Sequence, residues 1–448
     1  MKTAFSSSQL QEAIGAVELP SGELTELVDA LHRRWPNAIR HPRQVGVEQL
    51  PLPTLPVPWY GLARHCVDSS QAARLSRYLA YACGDYYLQD AGSLLALAAS
   101  QADTAELRGD LMICDLCAAP GGKASALVEA IGDGGFVLAN EPIRSRVAPL
   151  QFNLARTGSD RWAISSLDPE QLAQRLGGTF DLVLVDAPCS GQALMSRGRQ
   201  SAAAFSQKQI SHSAARQRRI LNAAIKLLRP GGQLIYSTCT FAEQENESQI
   251  GELETGGLVA ANPVSRLSPY QSTRPGCYRL WPHRHNCAGS FVGSMTSLQE
   301  HTSAVGSRRS KPSKSPVDLR QWYEPLEATT RITVFDAVVV GWPQEAPHWV
   351  DEVALTGPEL AHRTGQTWKP SHAAALRRLS RGRSLRTLEV EVELAKKFVR
   401  GETIPCSTPG WHVVRYLDRP LGWIKARGTT GKNHLPAPAR QVGEILDG

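Results

Sequence analysis

No stretch of this sequence approaches the roughly 18 consecutive apolar residues that a membrane helix needs. Its first twenty residues, MKTAFSSSQLQEAIGAVELP, lack the basic start and apolar core of an export signal. A membrane-embedded or secreted protein is therefore not expected, and the chain reads as cytoplasmic, with a monomer as the default. The nine cysteines are an odd number and irregularly spaced, unlike a secreted disulfide framework. No internal repeat and no heptad run occurs, so solenoid and coiled-coil architectures fall away. The one glycine-rich turn that opens a helix, DLCAAPGGK (Asp115 to Lys123), is no Walker loop. The first glycine of that motif would fall on Cys117, and Ala124 stands where Ser or Thr is required; it does not fit G-x-G-x-x-G either.

What is present is length, a local excess of positive charge and a repeating texture. A chain of 448 residues exceeds one ordinary core and predicts two or three domains. The net charge is +7, yet residues 365 to 448 hold 15 Lys and Arg against 7 Asp and Glu, so the first 364 residues come to about −1. A basic excess confined to one end suits an appendage that docks on a polyanion.

From about residue 110 to 295, short apolar runs alternate with longer amphipathic ones, the pattern of a parallel sheet flanked by helices. LMICDLCAA, GFVLANE, WAISSLD, FDLVLVDA and QLIYSTCTF read as five strands. PGGKASALVEAIG, RSRVAPLQFNLARTG, PEQLAQRLG and AARQRRILNAAIKLLRPGG read as the helices between them. Ligands in such sheets bind beyond the carboxyl ends of the strands. Gly121 and Gly122 let backbone approach a ligand closely at a helix N-terminus. Glu141 ends the second strand 19 residues after Gly122, near the ~20-residue spacing at which an acid reaches a ribose. An adenosine-bearing cofactor fits.

The last two of these strands end on cysteines: Cys189 in DAPCSG and Cys239 in YSTCTFAEQENE. A thiolate that adds to carbon 6 of a cytosine turns the ring into an enamine whose carbon 5 can attack an electrophilic methyl group. Asp186 is placed to hold the cytosine edge and favour protonation at N3. The second thiol would help to remove the carbon 5 proton and release the enzyme. CDLC at 114 to 117 has no second ligand pair, so no metal is expected.

These motifs, in the order GDYYLQDAGS, DLCAAPGGK, DAPCSG, YSTCTFAEQENE and RLWPHRHNCAGSFV from about 85 to 295, resemble the Sun-type, RsmB/RsmF-like RNA cytosine-5 methyltransferases. The resemblance implies a Rossmann-like α/β methyltransferase sheet, S-adenosyl-L-methionine as methyl donor, Cys239 as nucleophile, Cys189 for release, and Asp186 beside them. It also implies that Asp115, Cys117, Ala118, Ala119, Pro120, Gly121, Gly122, Lys123, Glu141, Asp168 and Asp186 surround the cofactor. The tail, with KPSHAAALRR and YLDRPLGWIKARGTTGKNHLP, resembles the PUA-like RNA-binding region of the RsmF-like subgroup. Arg146, His283, Arg284, Arg415, Trp423, Lys425, Arg427 and Lys432 are the expected RNA contacts, with Trp423 as a base-stacking candidate. The expected plan is an N-terminal RNA-binding-like α+β extension at 1–100, the methyltransferase domain at 101–296, a basic linker at 297–316, and a C-terminal region at 317–448, PUA-like from about 365. The implied partner is RNA, foremost small-subunit 16S ribosomal RNA. Transfer RNA, or a non-catalytic ribosome-assembly role, are the alternatives.

Overall fold

The computed structural model describes residues 7–15, 19, 22–68, 70–105, 107, 109–298, 315–324, 326, 330–377 and 384–447. Most of the expected basic linker, residues 299–314, lies outside them. Among the described residues no helix is long and apolar enough to cross a membrane.

The N-terminal part holds two helices, Ser7–Ile14 and Glu23–His32, and an antiparallel sheet of β1 (Ala38–Arg40), β2 (Thr54–Val57), β3 (Tyr60–Cys66) and β4 (Tyr87–Gln89), in the order β2-β3-β1-β4. The central sheet follows: β5 (Met112–Asp115), β6 (Phe136–Asn140), β7 (Trp162–Ser165), β8 (Phe180–Asp186), β9 (Leu228–Thr238), β10 (Leu258–Ala260), β11 (Cys277–Leu280) and β12 (Ser290–Ser297). Its order is β10-β12-β9-β8-β5-β6-β7, with β11 paired to β12. The neighbours from β9 through β8, β5 and β6 to β7 are parallel, while β12 inserts antiparallel beside β9. β6 and β7 are buried along their whole length. Helices cover both faces of a parallel sheet, which is why these strands are continuous apolar runs rather than alternating ones. The chain leaves β5 outward to β6 and β7, then returns to β8 and β9. This leaves a crevice at the carboxyl ends of β5 and β8, where open α/β sheets bind ligands.

The C-terminal region divides into two sheets. The first contains β13 (Thr330–Phe335), β14 (Val338–Pro343), β15 (Glu359–Thr364) and β16 (Thr367–Pro370), joined in sequence order. It packs against the catalytic sheet: Trp349 sets its ring edge-on to Phe136 and Phe180 at centroid distances of 5.7 and 5.6 Å, and Trp342 Nε1 donates to the Trp162 carbonyl at 3.2 Å. The second contains β17 (Thr387–Glu389), β18 (Ile404–Pro405), β19 (Gly410–Tyr416), β20 (Arg419–Arg427) and β21 (Thr430–Asn433), in the order β17-β19-β20-β21-β18. Its core is closed by Ala395, Phe398 and Val399 of the helix Val392–Val399. The expected start of the PUA-like part near 365 therefore differs from the observed sheets. Residues 367–370 pair back on β15 as a hairpin, and the second sheet begins with Thr387. The α/β catalytic sheet, the N-terminal α+β extension and the β-rich tail agree with the expected fold class.

Candidate active site

The glycine turn is shaped by what packs on it. Gly121 has φ +109°, a conformation that excludes most side chains. A Cβ on Gly122 would lie 2.9 Å from Gln89 Oε1 and 3.1 Å from Tyr87 Cε1. The backbone here thus fits closely beneath β4, which explains why GDYYLQ belongs with the cofactor turn although it lies 30 residues upstream. Asp115 ends β5 beneath the turn, 1% exposed. Its two carboxylate oxygens are shut away from solvent without a well-formed hydrogen bond, with the Cys117 N–H beside them. Burial first, then the Asp186 charge, push the Asp115 carboxyl up to about 7, with Lys123 opposing. A buried acid with so few donors at the carboxyl edge of the sheet fits a ligand that brings hydroxyl or ammonium donors.

The turn forms one wall of a cavity of about 300 Å³. Asp115, Cys117, Ala118, Ala119, Pro120, Gly122, Lys123, Asp186 and Cys239 all line it, as do Tyr87, Gln89, Asp90, Arg197, Thr238 and Ser290, which the sequence reading left unassigned. Within it Lys123 Nζ lies 2.7 Å from Asp186 Oδ2, and Ser237 Oγ donates to Asp186 Oδ1 at 2.8 Å. Burial opposes the Lys123 charge, yet Asp186, with Asp115 and Cys239 beyond it, holds the ammonium above its ordinary value. Asp186 keeps 40% of its side chain exposed, so its remaining lone pairs can accept from a base edge.

β8 and β9 are parallel neighbours with Asp186 opposite Ser237, and the two cysteine loops leave from their adjacent ends. Cys189 Sγ and Cys239 Sγ lie 3.3 Å apart. Cys239 lines the cavity, whereas Cys189 is not among the residues that line it. The hydrogen bond to Cys239, then burial, then the charges of Cys239 and Glu245 push the Cys189 thiol well above its ordinary value. At neutral pH Cys189 therefore carries its proton.

Several expected contacts are corrected. Asp168 does not line the cavity: it caps the helix Pro169–Leu176 by accepting from Glu170 N–H and pairs with Arg219 at 3.1 Å. Glu141 is buried near the turn but outside the lining set, accepting from Ile143 N–H at 2.9 Å and facing Arg146 at 3.1 Å. Arg146 also donates to the Ala119 carbonyl at 2.7 Å, so it braces the glycine turn while its side chain stays half exposed. His283 has a side chain 3% exposed and bonds Glu23 at 2.9 Å, with Arg284 on the same carboxylate; both dock the N-terminal helices. Trp423 is 2% exposed and donates to the Ser371 carbonyl at 2.8 Å. It is sealed in the seam between the two C-terminal sheets and cannot stack on a base. Arg415 pairs with Asp418 at 3.4 Å. Arg427 and Lys432 are exposed, and Lys425 lies 5.4 Å above the ring of Trp411, making Trp411 the half-exposed tryptophan of this face.

Comparison with known proteins agrees with this geometry. Residues 103–296 match the family 16S rRNA methyltransferase RsmB/F, and residues 385–441 match the methyltransferase RsmF PUA domain. Over 420 residues the chain is 28% identical to the ribosomal RNA small subunit methyltransferase F of Erwinia tasmaniensis, covering 87% of this chain and 86% of that protein. The protein of the same name from Salmonella heidelberg is 28% identical over 421 residues, 88% of this chain and 86% of the relative. Among solved structures, NSun6 from Pyrococcus horikoshii with SFG shares the fold, with a TM-score of 0.55 at 19% identity over 66% of this chain and 99% of that one. Residues 103–296 thus belong to the RsmB/F family of S-adenosylmethionine-dependent RNA cytosine-5 methyltransferases, and residues 385–441 to the PUA domain of its RsmF members.

Proposed function

We propose that this enzyme methylates carbon 5 of a cytosine in 16S ribosomal RNA, with Cys239 as the nucleophile and Cys189 assisting release. The observation that carries the reading is the contact of two thiols of unlike surroundings at one end of the sheet, with only Cys239 facing the cavity. The choice of RNA rests on the small-subunit relatives, similar along most of the chain.

S-adenosylmethionine, when bound, supplies an electrophilic methyl group. Asp115 and the Gly121–Gly122 turn would hold its nucleoside. The chain's own residues do the rest. Cys239 Sγ, beside the Lys123 ammonium, adds to carbon 6 of the base as its thiol proton passes through solvent to N3. Asp186 accepts from the cytosine edge and favours protonated N3, which draws electrons from carbon 6. Carbon 5, now the nucleophilic end of an enamine, takes the methyl group. In release the carbon 5 proton passes to water, the carbon 6–Sγ bond breaks, and its electron pair returns to Cys239. The Cys189 S–H then steadies the departing thiolate by a hydrogen bond.

The test uses Cys189→Ala with small-subunit ribosomal RNA, transfer RNA and methyl-labelled S-adenosylmethionine. A protein:RNA adduct that survives denaturation is expected with ribosomal RNA, and it should vanish in the Cys189→Ala/Cys239→Ser double variant. An adduct with transfer RNA alone would move the substrate. A wild-type enzyme that labels neither pool would contradict the reading.

A further inference from the structure

Cross-strand register brings the ends of β8 and β9 together but does not fix the cysteines, which sit on loops past the last ladder bond. Something else must hold two thiols at 3.3 Å. One buried carboxylate reaches both loops. Glu245 Oε2 accepts from the backbone N–H of Ser190 at 2.9 Å and from Gln217 Nε2 at 2.9 Å; Gln217 also donates to the Pro188 carbonyl at 3.1 Å. The peptides on either side of Cys189 are thereby tied to Glu245, one directly and the other through Gln217. Glu245 Oε1 accepts from the Thr240 hydroxyl at 3.4 Å, directly after Cys239, and the Thr240 and Ser190 hydroxyls meet at 2.8 Å. Tyr236 of β9 fixes the clamp itself, its hydroxyl donating to the Glu245 carbonyl at 2.6 Å.

Glu245 is completely buried, and the groups that favour its charge are neutral hydrogen-bond donors rather than a paired cation; burial outweighs them and raises its pKa. An ionisable group in such a place is costly unless its bonds satisfy it, and those bonds converge on the cysteine loops. We infer that Glu245 is a positioning residue that holds Cys189 in contact with Cys239, so that losing it uncouples release of the methylated base from attack. This rests on the cysteine roles proposed above, but the positioning can be read without them.

The experiment compares the full-length wild type, Glu245→Ala and Glu245→Gln. Glutamine can still accept from Ser190 and Gln217 with its oxygen and donate to Thr240 with its amide. Treated with diamide, a two-electron oxidant that takes up the two thiol hydrogens as one S–S bond forms, the wild type should link Cys189 to Cys239, measured by peptide mapping. Glu245→Ala should form that bond about 10- to 100-fold more slowly, the loss expected when reacting atoms move by about 1 Å, and Glu245→Gln should recover most of it. Unfolding temperature and S-adenosylmethionine binding establish that each variant is folded. An unchanged disulfide rate in folded Glu245→Ala overturns the proposal. If Glu245→Ala does not fold, Glu245→Gln and Gln217→Ala decide it: the first should stay near wild type and the second should slow disulfide formation, and a wild-type rate in Gln217→Ala overturns the proposal. During methylation, Glu245→Ala should accumulate RNA adduct as Cys189→Ala does, with turnover falling more than adduct formation. A proportional fall in both would mark general damage and overturn the effect on release. Failure of Cys189→Ala to trap any adduct would instead overturn the cysteine roles, leaving the diamide result to decide the positioning.

Discussion

Cys189 and Cys239 are alike in what a sequence records and unlike in what surrounds them. Each follows an apolar strand, each is half-buried, and the strands are parallel neighbours. Cys239 faces a cavity containing an ammonium and a carboxylate, Lys123 and Asp186. Cys189 lies behind it, beside the buried Glu245, and its thiol is pushed up. Position in the fold brings both thiols to the site, and the proposed division into an attacking and an assisting sulfur rests on the different charges and openings around each one.

Breaking that asymmetry should have its largest effect at Cys239. Cys239→Ser is expected to reduce methyl transfer to below about a thousandth of wild type, the scale of losing a covalent catalyst. Cys189→Ala should keep the attack and lose turnover, read by single-turnover against steady-state labelling. Asp186→Asn comes next, because it removes both the ion pair with Lys123 and the acid facing the base. A fall of about 10²- to 10⁴-fold in kcat is the range for a positioned proton-transfer group, with S-adenosylmethionine affinity, measured by calorimetry, changing less.

A fourth substitution sharpens the comparison through stability. The Cys239 loop is backed by Arg279, which donates to the Phe241 carbonyl at 3.2 Å and forms a buried two-pronged pair with Glu247, 3% and 2% exposed. Arg279→Leu strands that carboxylate, so urea unfolding should show a loss of about 3–5 kcal/mol. An effect on stability of similar size depends on pH. Asp115 has a folded value near 7 against an ordinary 3.8. Its contribution to stability is fully present below the unfolded value and is lost as pH rises through about 7. The difference in unfolding free energy between wild type and Asp115→Asn should therefore shift against wild type between about pH 4 and pH 7. Carboxylate-seeking donors of S-adenosylmethionine should bind more tightly over the same interval in wild type alone.

The cavity residues were legible because each ends an apolar run: Asp115, Asp186 and Cys239 each stand at or just past the last buried residue of a strand, where a parallel sheet places its ligands. Lys123 followed from the glycine turn. Asp168 was misread although its own context, Asp-Pro-Glu ahead of a helix, is a capping signal. His283 was not legible, since the carboxylate that occupies it is Glu23, far away in the chain. Trp423 shows the limit of alternation. Strand periodicity places it on one face of β20, but it cannot tell that Leu360 of β15, with Tyr323 from the segment before β13, covers that face. Glu245 stood in plain view within EQENE, where nothing marks which of the three glutamates are buried, or that Glu247 has a paired cation and Glu245 only neutral donors. Burial of a charge is decided by tertiary contacts, here with Ser190, Gln217 and Thr240.

The most direct measurement is to trap the covalent complex of Cys189→Ser with ribosomal RNA, digest both polymers, and locate the nucleotide by mass spectrometry. The nucleotide is expected on Cys239, with the methyl group already on the base. A nucleotide on any other cysteine, or wild-type protein caught through Cys189, would contradict the assignment of attack to the sulfur that faces the cavity.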